Sequence, residues 1–234
     1  MDPVSESLAL AARLIGGGDA RLWSIVALSL EVSLAATLLA CALGLPLGAL
    51  LAVRRFAGRR VAIVVLNALL GVPSVVVGLV VYLLLSRAGP LGSLGILFTP
   101  AAIVVAQTLL VLPIVAAMAR QFVEDGWHEY REQLVSLGVG PLRAVPTLLW
   151  DLRFSLSTVV LLGFGRAISE VGAVMIVGGN IDGVTRVVTT AIALETSKGD
   201  LPLALGLGIV LLVVILAVNA AAYLVREWSL RRHG

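Results

Sequence analysis

The chain has 234 residues, 59% of them hydrophobic and 13% charged, where an ordinary soluble domain has about 45–50% and about 25%. At a mean hydropathy of +1.06, this much apolar surface cannot be buried in a water-soluble core of this size, so a membrane is the expected solvent. The net charge of +3 and pI of about 9.6 would suit nucleic acid, but the distribution of the charges argues against it.

Val4, Leu8, Ala11, Ala12 and Ile15 recur at helical spacing near the start of the chain. A short helix lying at the outer interface fits them; a sixth crossing is the rival reading, against which stand the short length and Gly16-Gly17-Gly18. The first 20 residues hold one basic residue, Arg13, and no compact apolar core followed by a cleavage site. A cleaved signal peptide is therefore not expected.

Five apolar spans follow, over 22–53, 61–86, 96–119, 154–178 and 201–225. Each exceeds the roughly 20 residues a helix needs to cross the hydrocarbon layer. The first would be about 48 Å long at 1.5 Å per residue, so it must tilt, protrude or bend, and Gly44-Leu45-Pro46 is a plausible bend. Gly44 and Gly48, four apart, suit close helix packing. The sole cysteine, Cys41, lies in an apolar run and reads as a small buried hydrophobe. Pro73 and Pro113 fall inside the second and third spans; each reads as a kink, or as a break that frees backbone groups toward a cavity.

Between the third and fourth spans lies a 120–153 loop with nine charged side chains. Arg54, Arg55, Arg59, Arg60, Arg120, Arg131, Arg143, Arg153, Arg226, Arg231 and Arg232 fall on its side of the membrane, against Arg13, Arg21, Arg87, Arg186 and Lys198 on the other. Cytoplasmic loops collect Lys and Arg. The 54–60 turn, the 120–153 loop and the C-terminus are thus expected inside, and with five spans the N-terminus outside.

Glu31, Asn67, Gln107, Arg166, Glu170 and Asn219 sit in or near apolar spans. Charges there cost roughly 2.5–3.5 kcal/mol on insertion scales and usually face a cavity or a partner. Arg166 and Glu170 are four apart and would share a helix face. They form either a self-neutralising structural pair or part of a pathway. Gly163, Gly165, Gly172, Gly178 and Gly179 crowd the same span, which suits a gate as well as simple packing. Beyond it, Val184, Val187, Val188, Ala191 and Ile192 form one apolar helical face, expected in a re-entrant or surface helix or in a plain cap on the bundle.

The 120–153 loop resembles the cytoplasmic signature of ABC importer permease subunits: Glu-Ala-Ala, three residues, Gly, then an apolar-Leu-Pro ending. Glu132 and Gly138 match, and Pro141 stands where many members have proline. Gln133 and Leu134 replace the alanines, and Trp150-Asp151 stands where Leu-Pro is usual. The stretch from Gly163 to Asp200 is more specific. Gly165-Arg-Ala-Ile-Ser-Glu170-Val-Gly-Ala173, Val177-Gly-Gly-Asn-Ile181 and Thr189-Thr-Ala-Ile-Ala-Leu-Glu-Thr-Ser-Lys-Gly-Asp200 look like the permeases for sulfate and group VI oxyanions, closest to the tungstate branch. The resemblance covers essentially the whole chain.

The resemblance implies an all-α, five-span bundle of the type I ABC importer permease kind. It implies two copies around a central pathway, two cytoplasmic ATPase subunits that bind the ATP, and an external oxyanion-binding protein, in the cell membrane of a prokaryote. Glu132 and Gly138, with Pro141 and Arg143 beside them, carry over as the ATPase-coupling positions of a short coupling helix. The pathway or gate candidates are Arg166, Ser169, Glu170, Gly172, Asn180, Thr189 and Thr190. Hydroxyls and backbone amides near glycine can donate to a passing oxyanion. The departures at Gln133, Leu134 and Trp150-Asp151 imply a dedicated ATPase. Molybdate and sulfate are the alternative substrates.

The chain has one lysine, Lys198, and no Gly-x-x-x-x-Gly-Lys-Ser/Thr loop, so energy for active uptake must come from another polypeptide. No cofactor, metal or catalytic residue is expected, since His128 and His233 lie outside the spans with no ligand or nucleophile–base spacing. The rivals are a stand-alone secondary transporter or channel, an intramembrane enzyme, and a passive scaffold.

Overall fold

A computed structural model describes residues 20–233 together with Ser5, Leu8, Ala9, Ala12, Arg13, Gly16 and Gly17. The expected N-terminal interfacial helix falls largely outside the described residues. Among those residues there is no strand. The helices are α1 (Ala20–Val53), α2 (Arg59–Leu70), α3 (Ser74–Leu85), α4 (Pro100–Ser136), α5 (Pro141–Asp151), α6 (Arg153–Ile168), α7 (Gly172–Gly178), α8 (Val188–Lys198) and α9 (Leu201–His233). In α1, α4 and the Leu201–Ala221 part of α9, a single helix is long and apolar enough to cross a membrane; two broken helix pairs raise the number of spans to as many as five.

Local chemistry sets several boundaries. Pro100 and Pro141 each open a helix, where proline's missing donor is not needed and its φ is already helical. Asp200 caps α9 by accepting the Leu203 N–H at 3.1 Å. The second expected span is broken: Gly71 ends α2, and α3 begins just after Pro73. Pro46 and Pro113, by contrast, lie inside unbroken helices, because one lost backbone bond is tolerated where the surrounding packing holds the helix.

The 120–153 segment is a correction to the sequence reading. It is helical for most of its length: α4 runs on to Ser136, and α5 occupies Pro141–Asp151. Low hydropathy marks where a chain leaves lipid, not where its helix stops. Val123, Trp127, Tyr130 and Leu134 continue one apolar face past the charged residues.

The chain divides into two compact units, one of Met1–Leu34, Ser74–Ala106 and Ile168–Gly234, the other of Ala35–Pro73 and Gln107–Ala167. In the second unit, Ala40 and Cys41 of α1 pack with Val111, Val115 and Ala119 of α4 and Leu156 and Val159 of α6. Gly48 makes the α1–α4 crossing possible: a Cβ there would lie 2.4 Å from the Ala116 carbonyl oxygen and 2.8 Å from the Arg120 nitrogen. Gly44 is similarly tight against Val115. In the first unit, Leu22 and Val26 of α1, Val188 and Ala191 of α8, and Leu207 and Val210 of α9 form the core. There α3 packs on α7, with Gly78 directly against the Ala173 backbone.

Candidate functional site

In the first unit the pathway candidates gather around α7 and the start of α8. The fourth expected span does not continue as one helix: α6 stops at Ile168, Ser169 and Glu170 lie in the connection, and α7 begins at Gly172. The helix that carries Arg166 therefore ends before Glu170, which corrects the expectation of one unbroken fourth span. Glu170 is buried. Its Oε1 accepts the Ala173 N–H at 3.1 Å, satisfying a donor in the first turn of α7 that no helical carbonyl can reach. Its backbone carbonyl accepts the Thr189 hydroxyl at 2.9 Å, tying the start of α7 to the start of α8.

The link from α7 to α8 is held by side chains. Gly179 (φ +70) and Asn180 (φ +50) turn the chain in the left-handed region, which asparagine tolerates better than most residues. The Thr185 hydroxyl donates to the Gly178 carbonyl at 2.6 Å and accepts the Ile181 N–H at 2.9 Å. Asn180 donates to the Thr190 carbonyl at 3.4 Å. Arg186 donates to the Asn180 side chain at 3.3 Å and pairs with Asp182 at 3.0 Å, and Arg21 also pairs with Asp182. The Ser29 hydroxyl accepts the Val188 N–H at 2.9 Å and donates to the Ile25 carbonyl at 2.7 Å. Of the predicted apolar face, Val187, Val188 and Ala191 are buried, while Val184 is exposed.

The structure thus brings Glu170, Gly172, Asn180, Thr189 and Thr190 into one connected module, with Ser169 exposed beside Glu170. Arg166 belongs to the other unit, on the last turn of α6. Sequence reasoning missed Thr185, Asp182 and Ser29. A threonine five residues after a Gly-Gly-Asn turn was the available signal for the first.

In the second unit, α4 ends in a Schellman motif. Gly138 (φ +75) donates to the Val135 carbonyl at 2.9 Å, and Val139 donates to the Leu134 carbonyl at 2.9 Å. Leu134 and Val139 pack on Val123, Trp127, Ala144, Val145 and Leu148, so the turn fixes α5 against the end of α4. Glu132 stands on the last turns of α4, Gly138 in the turn, Pro141 at the first position of α5 and Arg143 in the same first turn. The four coupling candidates therefore straddle a helix–turn–helix corner and do not share one short helix. Arg59 braces the neighbourhood, donating to Glu124 at 2.7 Å and to the Leu51 carbonyl at 2.7 Å, while Arg120 also pairs with Glu124. Leu137 and Trp150 are 77% and 72% exposed. Large apolar side chains this exposed on a charged segment outside the apolar spans suit contact with another protein.

Several apolar spans, a polar module around α7 and α8 and a helical corner at the end of α4 define a multi-pass membrane protein. The chain belongs to the family of binding-protein-dependent transport system inner membrane components, whose family profile matches residues 44–233. It is 42% identical over 227 residues to the tungstate uptake system permease protein TupB of Peptoclostridium acidaminophilum, covering 97% of this chain and 100% of that one. It is 41% identical over 216 residues to the "Probable anion ABC transporter permease protein" of Haloferax volcanii, covering 90% and 93%. A tungstate uptake system permease protein from Campylobacter jejuni is 43% identical over 150 residues, 64% of this chain and 63% of that one. The expected ABC importer permease family and all-α membrane fold are borne out.

Proposed function

We propose that this chain is the permease subunit of an ATP-driven importer for a tetrahedral oxyanion, with tungstate as its substrate. The observation that carries this reading is the 42% identity to a tungstate uptake permease along the full length of that protein. The chain supplies the translocation pathway and no catalysis of its own. Two copies form the pathway in the lipid bilayer, with the N-terminus outside and the C-terminus in the cytoplasm. A separate ATPase binds and hydrolyses ATP, and an external binding protein delivers the anion.

The corner formed by the end of α4, the Gly138 turn and α5 is the element that docks on the ATPase. Its short apolar links to α1 through Ala49, Ala52 and Val53 let a push on α5 reach the membrane helices as a rigid displacement. Closing of the ATPase dimer on ATP moves the two corners together and opens the pathway outward; hydrolysis resets it. The hydroxyls of Thr189 and Thr190 already donate to the Glu170 and Val187 carbonyls, so these residues shape the pathway wall, and selection of the anion rests mainly on the binding protein.

The test is ATP-driven uptake by proteoliposomes holding this chain, its ATPase and its binding protein, with tungstate, molybdate and sulfate compared. Tungstate uptake well above the others is expected. Preferred uptake of molybdate or sulfate moves the substrate within the oxyanion group, and passive flux through the chain alone, without ATP, overturns the importer reading.

In the same assay Gly138→Asp is expected to abolish most uptake while the chain still inserts and folds. Space for the side chain exists, as no atom lies within 4 Å of a Cβ at this position. The left-handed φ of +75 costs a non-glycine residue roughly 1–2 kcal/mol, and the added carboxylate projects from the docking corner. Normal ATP-dependent uptake by this variant counts against the coupling assignment.

A further inference from the structure

Two adjoining cavities on the Ala35–Pro73 and Gln107–Ala167 unit share Arg54 as a wall. The larger, about 440 Å³, has Arg54, Arg55 and Arg131 around an apolar floor that includes Trp127, Val135 and Leu142. The smaller, about 340 Å³, is almost wholly apolar, lined by Leu47, Leu50, Leu51 and Phe56 beside Arg54.

The charges in the larger cavity are uncompensated. Arg59 and Arg120 of the same unit share Glu124, whereas among the described residues no carboxylate pairs with Arg54, Arg55 or Arg131. Three guanidinium groups held around one groove repel one another, and an anion from outside relieves that repulsion. Guanidinium groups bind phosphate through paired hydrogen bonds. Arg54 and Arg55 directly follow Val53, the last residue of α1, so they stand where an apolar helix gives way to charge, the level at which lipid headgroups lie.

The second cavity identifies the occupant. Leu47, Leu50 and Phe56 are exposed and form a slot that begins at the same arginine. An acidic peptide would neutralise the arginines and leave this slot uncovered, whereas a lipid satisfies both. We propose that the double cavity binds one anionic phospholipid, its phosphate held by Arg54, Arg55 and Arg131 and one acyl chain laid along Leu47, Leu50 and Phe56. The assignment to the cytoplasmic leaflet rests on the proposed orientation; the site itself does not.

The experiment reconstitutes the chain in nanodiscs of phosphatidylcholine with a minority of phosphatidylglycerol and counts retained lipids by native mass spectrometry. The variant R54Q/R55Q/R131Q is expected to lose retained phosphatidylglycerol by roughly tenfold to a hundredfold, with phosphatidylcholine unchanged. The single variant R131Q, at an exposed position, is expected to lose about fivefold, which keeps the test open should the triple variant fold poorly. Undiminished phosphatidylglycerol in both variants overturns the proposal, as does equal retention of phosphatidylcholine by the native groove. Retained phosphatidylglycerol with loss of ATPase co-purification assigns the arginines to a protein partner and equally overturns it. None of these readouts depends on transport, so failure here leaves the importer reading standing.

Discussion

Glu170→Ala is expected to lower oxyanion uptake at least tenfold and to reduce the thermal unfolding midpoint by roughly 5 °C. The Ala173 N–H that Glu170 accepts at 3.1 Å belongs to a residue with no exposed surface, and leaving such a donor unpaired costs about 1–3 kcal/mol. The first turn of α7 would loosen, and with it the Glu170–Thr189 link that joins α7 to α8. Glu170→Gln separates capping from charge, since the amide oxygen can still accept from Ala173. Glu170→Gln is expected to keep this cap and so to lose less stability than Glu170→Ala. If both variants fall equally in unfolding midpoint, the negative charge matters and the capping account is wrong. Uptake that survives Glu170→Ala unchanged removes this residue from the pathway candidates.

Gly48→Leu is expected to be the most destabilising single substitution, by about 3 kcal/mol or more, because the new side chain must displace backbone and not a flexible neighbour. The built Cβ already meets the Ala116 oxygen at 2.4 Å, so α1 and α4 must separate. That separation strips contacts from both apolar clusters flanking the crossing. The expected observation is a chain that inserts but aggregates on extraction, or unfolds far below the native midpoint in detergent. Gly165→Ala is the matched control: no atom lies within 4 Å of its added Cβ, and alanine favours helix over glycine by about 1 kcal/mol. A native midpoint for Gly48→Leu would show that the crossing is looser than the structure has it.

Much of the site was legible along the chain. The Gly163–Asp200 segment carried both the family resemblance and the residues that the structure gathers around α7 and α8. Glu170 stood out as a charge in an apolar span, yet the helix expected to carry it stops at Ile168. Spacing alone does not say whether a helix continues; here that depends on contacts from elsewhere: Ala173 of α7 against Gly78 of α3, and Thr189 against the Glu170 carbonyl. Likewise Glu132 and Gly138 were found by motif, while the placing of Glu132 before a Schellman turn and Gly138 within it came from the packing of Leu134 and Val139 on Trp127 and Leu148.

What the sequence by itself determined was set by local and compositional physics. Apolar length demands a bilayer, a Gly-x-x-x-Gly pair permits close helix contact, and glycine at a left-handed φ marks a turn. Tertiary structure decided what local preference leaves degenerate. Pro73 and Pro113 are the same residue in similarly apolar surroundings, yet one stands between α2 and α3 and the other within a 37-residue helix. The charged 120–153 segment could be loop by hydropathy or helix by its buried face, and the apolar cluster around Trp127 selected helix. In each case local preference allows either alternative, and the neighbouring surfaces available to bury the side chains select between them.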